Sequence, residues 1–174
     1  MRRFVNNGVL IIGTEEELGV TALEGHFIQG PTGQLVIDLN ARVLGDDGDE
    51  GELDILSLSD GADVSGEVLI NVTDHFQAVE GVQTEEFLVS RSRISADALT
   101  VRPSVVAQYE LLQLDDGEVR LQYDIDFAND TILGSVSENQ QKLSAALQQN
   151  YRAEQLDHET ALALISIEEV DDYV

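Results

Sequence analysis

Between Val9 and Phe127 the apolar residues fall at alternate positions, in short runs divided by polar turns. That period belongs to a strand with one buried and one wet face, not to an amphipathic helix. The clearest run is Gln34 to Leu44. It sets Leu35, Ile37, Leu39, Ala41 and Val43 on one side and Val36, Asp38, Asn40 and Arg42 on the other. Ser65 to Phe76 opposes Val68, Ile70 and Val72 to Glu67, Leu69 and Asn71, and its pattern breaks at Asp74. Tyr109 to Leu114, the Asp116-Gly117 turn and Val119 to Phe127 read as a hairpin, because Asp-Gly favours the positive φ of a tight connection. Val119, Leu121, Tyr123, Ile125 and Phe127 are its inward set. Val9–Ile12, Leu23–Ile28, Leu53–Leu58, Glu85–Arg91 and a stretch from Leu99, with Pro103 marking an edge or a boundary, bring the total to about eight strands. Short strands so spaced call for an all-β fold, an antiparallel β-sandwich or jelly roll, or a closed barrel. No internal repeat of useful length stands out.

The pattern changes after Gly134. Ser135-Val136-Ser137-Glu138 reads as a capping box opening a helix that runs to about Gln155, and Asp157 opens a shorter, more apolar one. Val136, Leu143, Leu147 and Tyr151 make a narrow stripe, suited to docking on a sheet edge or on another subunit. The expected organisation is therefore a β domain over 1–134 and a helical segment over 135–174 that ends in an acidic tail.

Charge sets the milieu. The 174 residues hold 34 Asp+Glu against 9 Lys+Arg, for a formal charge of -25, and Lys142 is the single lysine. Self-repulsion of that size is screened in molar salt, where the Debye length falls to about 3 Å, so the composition is that of a high-salt protein. Direct binding to a nucleic-acid backbone is excluded, since it draws its affinity from cationic groups. Arg91, Arg93 and Arg102 are the main basic concentration and a candidate contact with an acidic neighbour; Arg2 and Arg3 are the other. With no Cys, the chain has no disulfide framework, zinc knuckle or Cys nucleophile. No apolar run is long enough to span a bilayer, and the opening segment lacks a signal-peptide core.

Nothing in the sequence assembles a catalytic constellation. His26, His75 and His158 lack metal-ligand spacing, and neither a nucleophile elbow nor a phosphate loop is present. Asp124 and Asp126 share one strand face, as acids on the wet side of a strand do. Asn71-Val72-Thr73 and Asn129-Asp130-Thr131 fit the glycosylation sequon. The loop 46–52 concentrates oxygen donors, with Asp47, Asp49 and Glu52 as weak candidate ligands for Ca²⁺ and a solvated turn as the plainer reading. No cofactor is otherwise expected.

In its acidic, Lys-poor and Cys-free composition, its size and its run of strands, the chain resembles the small single jelly-roll capsid proteins of membrane-containing icosahedral viruses of halophilic archaea. No motif carries the resemblance, and the helices after residue 134 depart from it. It implies upright β-sandwiches grouped into capsomers over an internal membrane, a virion location and no catalytic residue. The expected function is thus a structural, self-associating, non-catalytic component, homo-oligomeric or built in with other structural subunits. The alternatives are a neck, tail or spike accessory protein, and a soluble halophilic enzyme or ligand-binding domain in the cytoplasm of a high-salt organism.

The charge generates the first test. Circular dichroism across a NaCl or KCl series should show native β structure lost below roughly 0.5 M and recovered above roughly 2 M, because screening is what offsets the repulsion. A compact fold unchanged at low salt would reject the high-salt reading.

Overall fold

The computed structural model describes residues 2–13, 18–40, 52–74, 81–114 and 117–169. Its first three strands, β1 (Arg3–Asn6), β2 (Val9–Ile11) and β3 (Val20–Leu23), are too short to stand alone. Each instead lies beside a strand from the next pass of the chain. β1 pairs with β4 (His26–Gln29), β2 with β5 (Gln34–Asn40), and β3 with β7 (Ile55–Leu58), all in parallel. β6 (Glu52–Leu53) is a two-residue antiparallel partner of β5. A third pass supplies β8 (Ala62–Asp74), which runs parallel to β4 and then to β5, and β9 (Gln83–Ser90), parallel to β7. β10 (Ile94–Val101) opens a fourth pass on the other edge of β8, again in parallel.

The chain is therefore wound in stacked coils. The strands of one wall form a seven-stranded sheet in which the principal path runs β1-β4-β8-β5-β2, and the other wall is a five-stranded sheet, β11-β12-β9-β7-β3. β11 (Ala107–Leu114) and β12 (Glu118–Ile125) make an antiparallel hairpin that adds to β9.

This overturns the antiparallel β-sandwich or jelly roll. Alternation tells which face of a strand is buried and says nothing about the direction of its neighbours, which depends on how the chain returns. Parallel neighbours need a long crossover, and here each crossover is itself a strand of the opposite wall. Two strand boundaries change for the same reason. Leu23–Ile28 is not one strand but the end of β3 and the start of β4, with the corner at Gly25, whose φ is +123° and whose Cβ, if it had one, would lie 2.5 Å from the Arg2 carbonyl oxygen. Likewise β10 begins at Ile94, and Pro103 separates it from β11.

Register stacks like on like. One interior row is Phe4, Phe27, Ala62 and Ile94; a second is Leu10, Leu35, Val68 and Val101; across the core, Thr21, Leu56 and Leu88 make a third. Phe27, Leu35, Val68, Leu56, Leu88 and Ile94 are fully buried, each contributing about 1.5–3 kcal/mol of burial. The corner between the first two strands of each coil is polar but satisfied. The Asn6 Nδ2 group donates to Gln29 Oε1 at 2.9 Å, Gln29 Nε2 donates to the Ser65 carbonyl at 2.9 Å, and Ser65 Oγ returns a bond to the Gln29 carbonyl at 2.9 Å.

The helical segment follows the expectation of an appendage on the β body. α1 (Asp130–Ser135) precedes α2 (Glu138–Arg152) and α3 (His158–Ile165). The α2 cap is Ser137 rather than Ser135: its backbone N–H and its hydroxyl both donate to Gln140 Oε1, at 2.8 and 2.6 Å. Asp157 caps α3 by accepting from the Thr160 amide at 3.0 Å. Tyr151 packs on Phe127 with ring centres 5.0 Å apart, and Gln148 accepts the Phe127 amide at 2.8 Å. Ala161 and Ile165 of α3 complete the same core.

Gly66 is the sharpest test of the stack. Its φ is +86°, and an added Cβ would meet the Gly33 carbonyl oxygen at 2.3 Å, whereas Gly8 has open space around it. Gly66→Ala should cost about 2 kcal/mol or more in denaturant unfolding at 2 M salt, and Gly8→Ala less than about 1 kcal/mol.

Candidate functional site

Among the described residues, the first coil has a strand neighbour on one side only. β1 and β2 end the principal path of the larger sheet and β3 ends the smaller one, so all three present a free edge in the same direction. Along parallel strands, successive residues turn their backbone groups alternately to one edge and the other. The carbonyls of Arg2, Asn6, Gly8, Gly19 and Leu23 accept from the second coil, from His26, Gly30, Gln34, Ile55 and Ser59. The intervening residues Arg3, Val5, Val9, Ile11, Val20 and Ala22 therefore direct their N–H and C=O groups outward.

The side chains there are also uncovered. Of the eight large apolar residues left exposed among the described residues, five belong to this coil: Phe4 at 41%, Val5 at 56%, Val9 at 60%, Ile11 at 59% and Val20 at 66%. Phe4 is the telling one. It stands in the interior row on Phe27, ring centres 5.7 Å apart, yet is open because no described residue lies above it. The charges nearly balance here too, since residues 1–23 hold two Arg and three Glu in a chain of net charge -25.

The opposite end is partly covered and less apolar. The Gln113 side chain behaves as a surrogate strand against β10, donating to the Ile94 carbonyl at 2.8 Å and accepting from the Ala96 amide at 3.1 Å. The β11–β12 hairpin covers β9, and α2 covers Phe127.

Sequence reasoning passed over the open coil because Val9–Ile12 looked like any other strand. A signal was present: Gly8, Gly33 and Gly66 immediately precede Val9, Gln34 and Glu67, which are rung partners in the stack. Their unequal intervals hid the repeat.

The residues singled out from sequence are dispersed. Of the helical stripe, Tyr151 is buried and Val136 and Leu147 pack against the chain's own core, while Leu143 is 57% exposed. Arg91 and Arg93 are exposed just before β10 begins, and Arg102 lies past its far end, paired with Glu67 at 2.8 Å and Glu168 at 3.5 Å. That second contact makes the start of the acidic terminus a strap, reinforced where the Val105 amide donates to the Ile167 carbonyl at 2.8 Å. Asp47, Asp49 and His75 lie outside the described residues, as does the side chain of Glu52. Among the described residues no three His, Asp or Glu side chains converge on a metal-sized space. His26 Nε2 lies 2.9 Å from Asp63 Oδ2 on the outer wall. The Asp126 carboxylate accepts the Ala128 amide at 2.8 Å and serves a turn. Asn129 is buried and donates to the Val105 and Asp126 carbonyls, so that sequon is structural, whereas Asn71 is exposed and donates to Asp38 Oδ1 at 2.8 Å.

One cavity of about 580 Å³ lies between the outer face of the larger sheet and α3, lined by Val36, Leu69, Leu162 and Ala163, with Arg102 at its rim. That arginine already faces two carboxylates, and its bond to Glu67 holds the Glu67 carboxyl below its usual range. No helix among the described residues is long and apolar enough to cross a membrane.

No protein-family model, curated protein or solved structure matches this chain.

Asp54 is the most deeply buried carboxylate, fully enclosed and held by the amides of Gly19 at 2.9 Å and Asp38 at 3.0 Å. Burial pushes its carboxyl above the ordinary aspartate range; the two amides pull it down, and the nearby Asp38 charge adds to the rise. The folded state therefore keeps a proton that the unfolded chain has released. This contribution is present below the unfolded value and lost as pH rises through the folded one. The stability of the parent minus that of Asp54→Asn, from urea melts at stepped pH, should decline across that window and then level off. A difference that grows with pH would reverse the assignment.

Proposed function

We propose that the protein is a non-catalytic structural component that self-associates, with the uncovered first coil as its working surface. The observation that carries this is the combination at one end of six outward-directed backbone positions with five exposed large apolar side chains. A free, apolar strand edge is an association surface unless charge, Pro or a covering element blunts it. Arg2 and Arg3 sit only at its beginning, Pro31 and Pro103 lie outside the first coil, and Lys142 is on α2. Strand addition at such an edge gives affinity through main-chain bonds, with outward side chains supplying specificity.

The ionisable groups displaced from their usual ranges fit a structural reading as well. Asp54 is held by backbone amides, Glu67 by Arg102, and Tyr109 and Tyr123 are raised chiefly by burial. None is joined to a nucleophile and an orienting partner in the way catalysis requires.

Two lysines placed on the edge test this function. In 2 M salt the parent should sediment faster as its concentration rises, and Val5→Lys/Ile11→Lys should remain a monomer with unfolding free energy within about 1 kcal/mol of the parent. A parent that stays monomeric at roughly 100 µM, where even a weak micromolar contact would be occupied, overturns self-association.

A further inference from the structure

We propose that the occupant of the open coil is a second copy of the same chain, docked head to head about a two-fold axis with its strands antiparallel to those of the first. The proposal rests on the self-association reading above and specifies its geometry.

Three observations lead to it. The first is the supply of free backbone groups. Arg3, Val5, Val9, Ile11, Val20 and Ala22 offer both donors and acceptors along one continuous edge, and whatever covers them must bring unpaired groups at strand spacing. The second is the far end. There Gln113 takes the β10 edge at Ile94 and Ala96, and the hairpin covers β9. Of the exposed large apolar residues among those described only Leu114 lies on β10 or β11, so head-to-tail growth finds no apolar edge to match the first coil. The matching open edge on this molecule is the first coil of another copy. A dyad normal to the two walls reverses strand direction, so the facing strands meet antiparallel, and the contact closes on itself at two subunits.

The third observation is charge. Two bodies of charge -25 repel over most of their surfaces, but residues 1–23 hold two Arg and three Glu, leaving this end close to neutral. Approach there brings together Phe4, Val5, Val9, Ile11 and Val20 with the least repulsion, and salt screens the remainder. Phe4 then gains the upper neighbour that its interior row lacks.

The chain has no cysteine, so introduced thiols are unique labels. The test combines mass by light scattering in 2–3 M salt with a short bis-maleimide cross-linker on Val5→Cys, Val9→Cys and Val20→Cys, and on Ala98→Cys, exposed on β10, as the far-end control. We expect a species of twice the 19.0 kDa protomer mass that does not grow further, cross-linked pairs from at least one first-coil variant, and none from Ala98→Cys. Val9→Pro/Ile11→Pro removes only edge-facing N–H groups and should raise the dissociation constant about tenfold or more. Should that variant lose its circular-dichroism signal, Val5→Lys supplies the same test without a backbone change. Species larger than twice the protomer, or pairs from Ala98→Cys alone, overturn the head-to-head arrangement and leave self-association standing. A parent monomeric throughout overturns both.

Discussion

Backbone pairing between successive coils is the interaction on which everything else in this protein depends. A single pass of the chain has strands of three or four residues in its first coil and buries almost nothing by itself. Stacking turns it into a rung: Phe27 and Leu35 are fully buried only because Phe4 and Leu10 lie on one side and Ala62 and Val68 on the other. A slip of one residue would turn each inward side chain to solvent. Register is therefore pinned at the corner, where Gly33 and Gly66 permit close backbone approach and Asn6, Gln29 and Ser65 bond from rung to rung.

The same stacking constrains an acidic surface. Rungs lie about 4.8 Å apart, so two carboxylates at matching outward positions would repel directly. The outer rows avoid this by alternating chemistry. Glu67 is flanked by Gln34, which donates at 3.0 Å, and by Arg102 at 2.8 Å; Asp38 faces Asn71; Asp63 faces His26. On the second wall Arg120 lies between Glu118 and Glu86. Arg102 and Arg120 thus sit between carboxylates, and among the described residues no strand pairing sets two carboxylates directly opposite each other.

Burial was legible from the sequence residue by residue. Leu35, Ile37 and Leu39 are inside and Val36 turns outward as alternation required, although Asp38 on that same side is buried too, and Val119, Leu121, Tyr123, Ile125 and Phe127 are all buried. Partnership was not legible. Which strand lies beside β5 depends on crossovers of unequal length, and a single period-two pattern fits parallel and antiparallel neighbours alike. The helix stripe shows a similar limit. Leu143 satisfies the apolar spacing yet faces out, while Ser144 and Gln148 are buried, because the face of α2 is set by the bond from the Phe127 amide to Gln148 and by Tyr151 on Phe127. The open coil was invisible for a different reason: an edge is defined by what is absent beside it, and a sequence written in order does not record that.

The two ends of the stack meet the same physical demand in opposite ways. A terminal coil leaves half of its backbone groups unpaired, and water or a neighbour must satisfy them. At the β10 end one glutamine side chain bonds the Ile94 carbonyl and the Ala96 amide, the hairpin covers β9, and the residues beyond those bonds that are exposed, Asp97, Ala98 and Thr100, are small or polar. At the first coil the chain supplies β-branched side chains and charges that nearly cancel, where a protected edge would carry lysine or proline. In the association proposed above, high negative charge would act as a selector. It opposes contact wherever carboxylates meet and opposes it least where strands, apolar surface and near-neutrality coincide, so repulsion elsewhere would narrow the encounters to the first coil.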